Sequence, residues 1–142
     1  MRVSDSRVRP DLLYVASGWN VLVTDVHGRI AGRDPQGFFA ENTRVLSLER
    51  ILVDGQEPTA FTTASVGAHT QLSYAEIGER EVLPPQARYL VVERFVGEGL
   101  LTRLTVLSYA AEPARLTVGL EVAADFADSD EAERGRRQHH GE

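Results

Sequence analysis

Apolar and β-branched residues fall in short runs along this chain, separated by breaks rich in Gly, Pro and Asp. That rhythm predicts antiparallel strands joined by turns. Leu12 to Ala16 and Asn20 to Thr24 flank a Ser17-Gly18 turn, and Asp25-Val26-His27-Gly28 carries the Asp and Gly of a tight hairpin. After the breaker cluster Gly32-Arg33-Asp34-Pro35-Gln36-Gly37, a single long strand is expected over Val45 to Val53, reversed at Asp54-Gly55. Thr59 to Val66 sets Phe61, Thr63 and Ser65 against Ala60, Thr62 and Ala64, a weakly amphipathic strand suited to a sheet edge. His69 to Ile77 places Leu72 and Tyr74 on one face, and the charged, Pro-rich Gly78 to Pro85 connects onward.

The second half is more regular. Arg88 to Val96 and Leu100 to Tyr109 are joined by Gly97-Glu98-Gly99, the composition of a three-residue hairpin loop. Leu116, Val118, Leu120 and Val122 then alternate with Arg115, Thr117, Gly119 and Glu121, the period of a strand with one wet face. The fold class predicted is all-β, an antiparallel sandwich. Residues 1–11 read as a flexible lead, 12–128 as the sandwich domain, and 129–142, which lack apolar periodicity, as a polar tail that is disordered or loosely helical.

Composition narrows the function classes. A chain of 142 residues suits one domain. A net charge of −6 with scattered arginines argues against a nucleic-acid partner, which requires clustered positive charge. With no cysteine, the fold has no disulfide staple, and thiol chemistry is excluded. No run approaches the roughly 20 apolar residues of a membrane span, and no signal-peptide core is visible, so the cytoplasm is the expected compartment. All 15 Lys and Arg positions are arginine, a bias associated with GC-rich bacterial genomes.

The chain is organised around Gly37-Phe38-Phe39-Ala40-Glu41-Asn42-Thr43-Arg44-Val45-Leu46-Ser47. Phe38, Phe39, Asn42, Thr43 and Arg44 combine flat apolar faces with hydrogen-bonding groups, the kit that holds a neutral sugar. The competing reading is structural: the two phenylalanines plug the end of the sandwich and Arg44 bonds backbone carbonyls. Trp19 has the same two readings, stacking on a sugar ring or packing inward, and its apolar area favours packing.

Catalytic constellations are weak. Glycoside hydrolysis needs two carboxyl groups about 5 to 10 Å apart. Asp125 and Asp128 on a strand lie roughly 10 Å apart at ~3.3 Å per residue, but their odd offset points them to opposite faces. His139, His140 and Glu142 lack the rigid surroundings that a metal requires. Ser47, Ser65, Ser73 and Ser108 have no recognisable triad context, and Gly97 to Gly99 is not a phosphate loop. No cofactor or metal is expected.

The organising stretch resembles the Gly-Phe-Phe and Asp-Thr-Arg-Phe-Leu-Ser motifs of the N-terminal domain of glycogen-debranching-type enzymes (amylo-α-1,6-glucosidase relatives), with Asn42 and Val45 departing from the usual Asp and Phe. Leu52-Val53-Asp54-Gly55-Gln56-Glu57-Pro58 is similar to that family's Leu-Asn-Gly-x-x-Pro turn. Tyr109 to Thr117 and Ala124-Asp125-Phe126-Ala127-Asp128 resemble its later strand pair and its ending. The resemblance covers about residues 18 to 128. It implies a supersandwich-like accessory domain that continues beyond residue 142, without activity of its own, beside a helical-toroid catalytic domain supplied in cis or in trans. Phe38, Phe39, Asn42, Thr43, Arg44 and Trp19 would then contact carbohydrate or the partner domain. The alternatives are a freestanding α-glucan-binding module and a self-associating structural domain, a homo-oligomer covering open strand edges.

Overall fold

The computed structural model describes residues 11–78 and 88–134. The expected lead through residue 10, residues 79–85 of the Pro-rich connection and the tail beyond residue 134 lie outside the described residues. Eleven strands and one short helix follow in order: β1 (Leu12–Ser17), β2 (Asn20–Asp25), β3 (Ile30–Ala31), β4 (Gly37–Ala40), β5 (Thr43–Leu46), β6 (Leu48–Val53), β7 (Thr59–Ser65), β8 (Thr70–Glu76), β9 (Arg88–Val96), β10 (Leu100–Ser108), β11 (Val118–Ala123) and α1 (Ser129–Arg134). Among the described residues they form sheets ordered β1-β2-β4-β5, β10-β9-β8-β7 and β11-β6-β3, and every strand pair is antiparallel. The fold is the all-β, sandwich-like class that the apolar rhythm predicts.

Local expectations held where pairing is local. β9 and β10 pair along their full length from Leu100 opposite Val96 to Ser108 opposite Arg88. The Gly97 amide closes the loop on the Gly99 carbonyl at 2.9 Å. β7 lies at the edge of its sheet, although a register shift between Ala60 and Thr62 interrupts its simple alternation.

Two expectations need correction. The single strand over Val45 to Val53 is two strands, because the chain changes sheets at Ser47. Its first half pairs with β4 and its second with β3 and β11, while the Ser47 amide donates to the Ala123 carbonyl at 2.8 Å. The turn at Asp25 to Gly28 forms, with the Gly28 amide on the Asp25 carbonyl, but β3 leaves to pair with β6 instead of returning along β2. On β8, Leu72 and Tyr74 do share a face, and it is the opposite face, carrying Gln71, Ser73 and Ala75, that is buried.

The inward Gln71 belongs to a polar tie across the sandwich. Arg94 of β9, 2% exposed, donates through Nη2 to Glu49 of β6 at 2.7 Å, and through Nη1 to the Gly28 carbonyl and to Gln71. Gln71 in turn donates to Thr24 of β2 at 2.9 Å. Among the described residues no buried side-chain nitrogen or oxygen lacks a partner. Such a network costs little in desolvation because each member is satisfied, and it holds elements of all three sheets in one arrangement.

The apolar core divides to match. Between the two sandwich sheets lie Val53, Ala75, Ile77, Leu90 and Val92. The β1-β2-β4-β5 sheet is covered on both faces: Val15, Leu22 and Phe38 pack with Ile30 and Val96 on one side, and Leu12, Val23 and Phe39 with Ala132 of α1 on the other. Adjacent residues of a strand point to opposite faces, so two neighbouring phenylalanines are both buried only because α1 closes the second face. Asp128 starts that helix by accepting the Glu131 amide at 2.7 Å, an N-cap contact.

Gly37 is the backbone constraint in this region. Its φ is +147, and a Cβ there would meet the Leu46 carbonyl at 2.5 Å and the Arg44 Cδ at 2.6 Å. Because the first of these is backbone, Gly37→Ala is expected to destabilise the protein by about 2–4 kcal/mol, combining overpacking with a backbone conformation that L-residues avoid. Urea unfolding measures this, and a loss under about 1 kcal/mol would show that the β4–β5 pair yields more readily than its geometry indicates.

Candidate functional site

The residues picked out in the sequence divide sharply by exposure. Phe38 and Phe39 are buried, and Arg44 is 1% exposed. Trp19, which its apolar area was expected to drive inward, is 77% exposed. The reason is local: Ser17 pairs with Asn20, so Gly18-Trp19 is a two-residue loop whose Gly18 φ of +59 reverses the chain and leaves Trp19 at its tip. Glu41 and Asn42, with φ of 48 and 73, form the two-residue loop between β4 and β5, and both sit where the mirror-image hairpin turn requires positive φ.

Three hairpin loops meet at this end of the sandwich through Asn20. Its Nδ2 donates to the Gly97 carbonyl at 2.7 Å, and its Oδ1 accepts the Glu41 amide at 3.2 Å. Asn20 was not singled out in the sequence, where an Asn after a turn reads as turn chemistry alone. The outcome is a rim in which exposed Trp19, Glu41, Asn42 and Glu98 are carried on loops tied by one side chain. Asn42 also accepts a hydrogen bond from the Ser129 hydroxyl at the start of α1. An aspartate would offer the same acceptor oxygen, so the Asn42 departure preserves that contact. Thr43, half-buried, bridges to Asp128.

Beneath the rim, Arg44 and Asp125 join two sequence motifs 81 residues apart. Arg44 Nε donates to Asp125 Oδ1 at 2.9 Å, and its Nη2 pairs with Asp125 Oδ2 and with Asp34 Oδ1. Nη1 donates to the Gln36 carbonyl at 3.0 Å, and the guanidinium sits 5.8 Å from the centre of the Phe39 ring. The backbones also interlock, with the Arg44 amide on the Ala127 carbonyl and the Phe126 amide on the Arg44 carbonyl. Burial acts to lower the Arg44 pKa, but the hydrogen bonds to Asp125 and Asp34 and the charges of both carboxylates outweigh it, so the net shift is upward. Arg44 is a permanent cation that fixes the loop.

This arrangement limits the chemistry available. Both Asp125 oxygens are taken by Arg44, and Asp128 caps α1. In an adjoining groove, the lining carboxylates Asp25, Asp34, Glu49 and Glu57 are also charge-paired, to Arg29, Arg44, Arg94 and Arg50 respectively. Among the described residues no cluster of His, Asp or Glu is placed to hold a metal ion, and His139 and His140 lie outside the described residues. No helix among the described residues is long and apolar enough to cross a membrane.

Residues 16–142 match a family described as the N-terminal domain of some glycogen debranching enzymes. No curated protein matches the chain.

Proposed function

This chain belongs to the N-terminal-domain family of glycogen debranching enzymes, and from that premise we propose that it is a non-catalytic accessory domain acting beside an α-glucan-cleaving helical-toroid domain, in cis or in trans, in the bacterial cytoplasm. Its contact with that domain is the rim of Trp19, Glu41, Asn42 and Glu98. The observation that carries this reading is Trp19: a large amphipathic ring held in solvent on a loop that Asn20 ties to its neighbours. Tryptophans displayed on rigid supports are the side chains that most often dominate protein interfaces. Phe38, Phe39 and Arg44 serve the same function indirectly, by supporting the loop.

A freestanding α-glucan-binding module is the second reading, and it rests on the same ring, since an exposed indole also stacks on a neutral sugar. Trp19 is the protein's single tryptophan, so its fluorescence separates the two. A blue shift on adding the catalytic region, with none on adding maltoheptaose, supports the accessory role. The reverse supports the sugar module, and no shift with either overturns the rim as a binding site. Immunoprecipitation with an antibody to this domain tests the larger claim, because the accessory role requires debranching activity to accompany the captured protein.

Trp19→Ala is expected to change stability by less than about 0.5 kcal/mol, since an exposed loop residue has little packing to lose. The same change should weaken association with the catalytic region by at least about 2 kcal/mol, roughly thirtyfold in Kd. Calorimetric titration and a thermal melt of the same variant measure the two effects.

A further inference from the structure

Along the flanks of the domain, carboxylates are matched by arginines: Asp25 pairs with Arg29, Glu57 and Glu121 with Arg50, and Glu93 with Arg103. At the rim they are not. Glu41 and Glu98 are exposed, and neither side chain makes an ion pair or a hydrogen bond among the described residues. A fourth loop joins the three that Asn20 ties. His69 donates from Nδ1 to the Ala16 carbonyl at 2.8 Å, and its own carbonyl accepts the Val96 amide at 2.9 Å, so the loop between β7 and β8 lies beside the Trp19 hairpin. The four loops, residues 17–20, 40–43, 66–69 and 97–99, hold these two carboxylates and no Lys or Arg. Arg44, beneath them, is already held by Asp125 and Asp34.

An exposed indole therefore sits beside unbalanced negative charge. Asn20 sets the spacing: it follows Trp19 directly, accepts the Glu41 amide, and donates to the carbonyl of Gly97, the residue before Glu98. An indole face attracts a cation through its quadrupole, more strongly than the ring of Phe or Tyr does. A guanidinium adds a plane that lies flat on such a ring, with N–H groups at its edge that reach carboxylates on either side, whereas an ammonium is a compact, tightly hydrated point charge. Trp and Arg are also the residues most enriched among interface hot spots, which tend to meet one another across an interface. A neutral sugar would use the ring and leave the charge unanswered.

We infer that the rim is a receptor for an arginine side chain on the surface of the partner domain, its guanidinium stacked on Trp19 and flanked by Glu41 and Glu98. The inference rests on the reading of this rim as the docking surface, and it specifies the chemistry of what docks: a basic patch, opposite in sign to this end of the sandwich. Charges placed at the margin of a contact steer the encounter as well as holding it. Association is therefore fast at low salt and weakens as salt screens the carboxylates.

Titration of a tetra-arginine peptide into the full chain tests it, read by the fluorescence of Trp19, the single tryptophan. A saturable change is expected with tetra-arginine, a weaker one with tetra-lysine at the same ionic strength, and none with tetra-glutamate. Glu41→Gln combined with Glu98→Gln should weaken tetra-arginine binding at least about tenfold at ~50 mM salt. The melt should not fall, because both side chains are exposed and unbonded. Glu57→Gln combined with Glu121→Gln removes as much negative charge from the flank, and should leave the affinity within about twofold, since that charge lies away from the indole. No response to tetra-arginine, or equal weakening by the two double variants, overturns the inference. An equal response to tetra-lysine overturns arginine as the contact. None of these results requires the catalytic region, so the accessory role is decided separately, by whether debranching activity accompanies the captured protein.

Discussion

Arg44→Met is expected to lower the unfolding free energy by about 3–5 kcal/mol, the range found when one partner of a buried ion pair is removed. Methionine approximates the length of the arginine stem but leaves Asp125 and Asp34 facing each other without the cation that both now share. For a domain of this size the loss corresponds to a drop in Tm on the order of 10–15 °C. The prediction extends to a cycle: Arg44→Met with Asp125→Leu should cost less than the sum of the single changes, because the second substitution removes the carboxylate that the first leaves unpaired. A Tm within a few degrees of the parent would show that water replaces the guanidinium at no great cost. The pH dependence follows from the sign of the shift. A cation with a raised pKa contributes fully below its ordinary value and loses that contribution only as pH rises through the raised one, so Arg44 stays charged across the neutral range and its side of the lock fails only in strong alkali.

Phe39→Ala should be comparably damaging, by about 3–5 kcal/mol. The ring is 2% exposed and packs in the cluster of Leu12, Val23 and Ala132, with the Arg44 guanidinium near its face. Truncation leaves a cavity where the sheet, α1 and the ion pair meet, so little can collapse to fill it. Urea unfolding should show a lower midpoint with an unchanged slope. A cost under about 1 kcal/mol would mean that α1 does not seal this face. Either loss is a large fraction of the 5–15 kcal/mol by which domains are ordinarily stable. Consequently, reduced sugar or partner binding by Phe39→Ala reports damage to the loop's support, and Trp19 is the position at which binding can be tested without it.

How much of this was legible in advance varies with the range of the interaction involved. The β9–β10 hairpin was readable because its two strands and the Gly97-Glu98-Gly99 loop are contiguous, and a hairpin's register follows from its loop. The division at Ser47 was not, since both halves of Val45 to Val53 are β-branched and Leu-rich, and nothing within the run says that its ends pair with different sheets. The sequence set Leu72 and Tyr74 on one face of β8 but did not say which face is inner, and Arg94, bonded to Gln71, brings the opposite, more polar face inward. Trp19 was misjudged: apolar area argued for burial, and the geometry of a two-residue loop overrode it.

The sequence by itself determined the all-β class, the antiparallel hairpin rhythm, the absence of thiol chemistry and the family to which the chain belongs. These depend on side-chain period, turn chemistry and motif spacing, which are properties of adjacent residues. Only the tertiary structure decided that Arg44 closes on Asp125 across 81 residues, that Asn20 gathers three loops into a rim, and that the apolar row of β11 stays uncovered. Each of these depends on which distant segments lie side by side, and the free energy that selects among such pairings comes from burial and satisfied polar groups distributed over the whole domain.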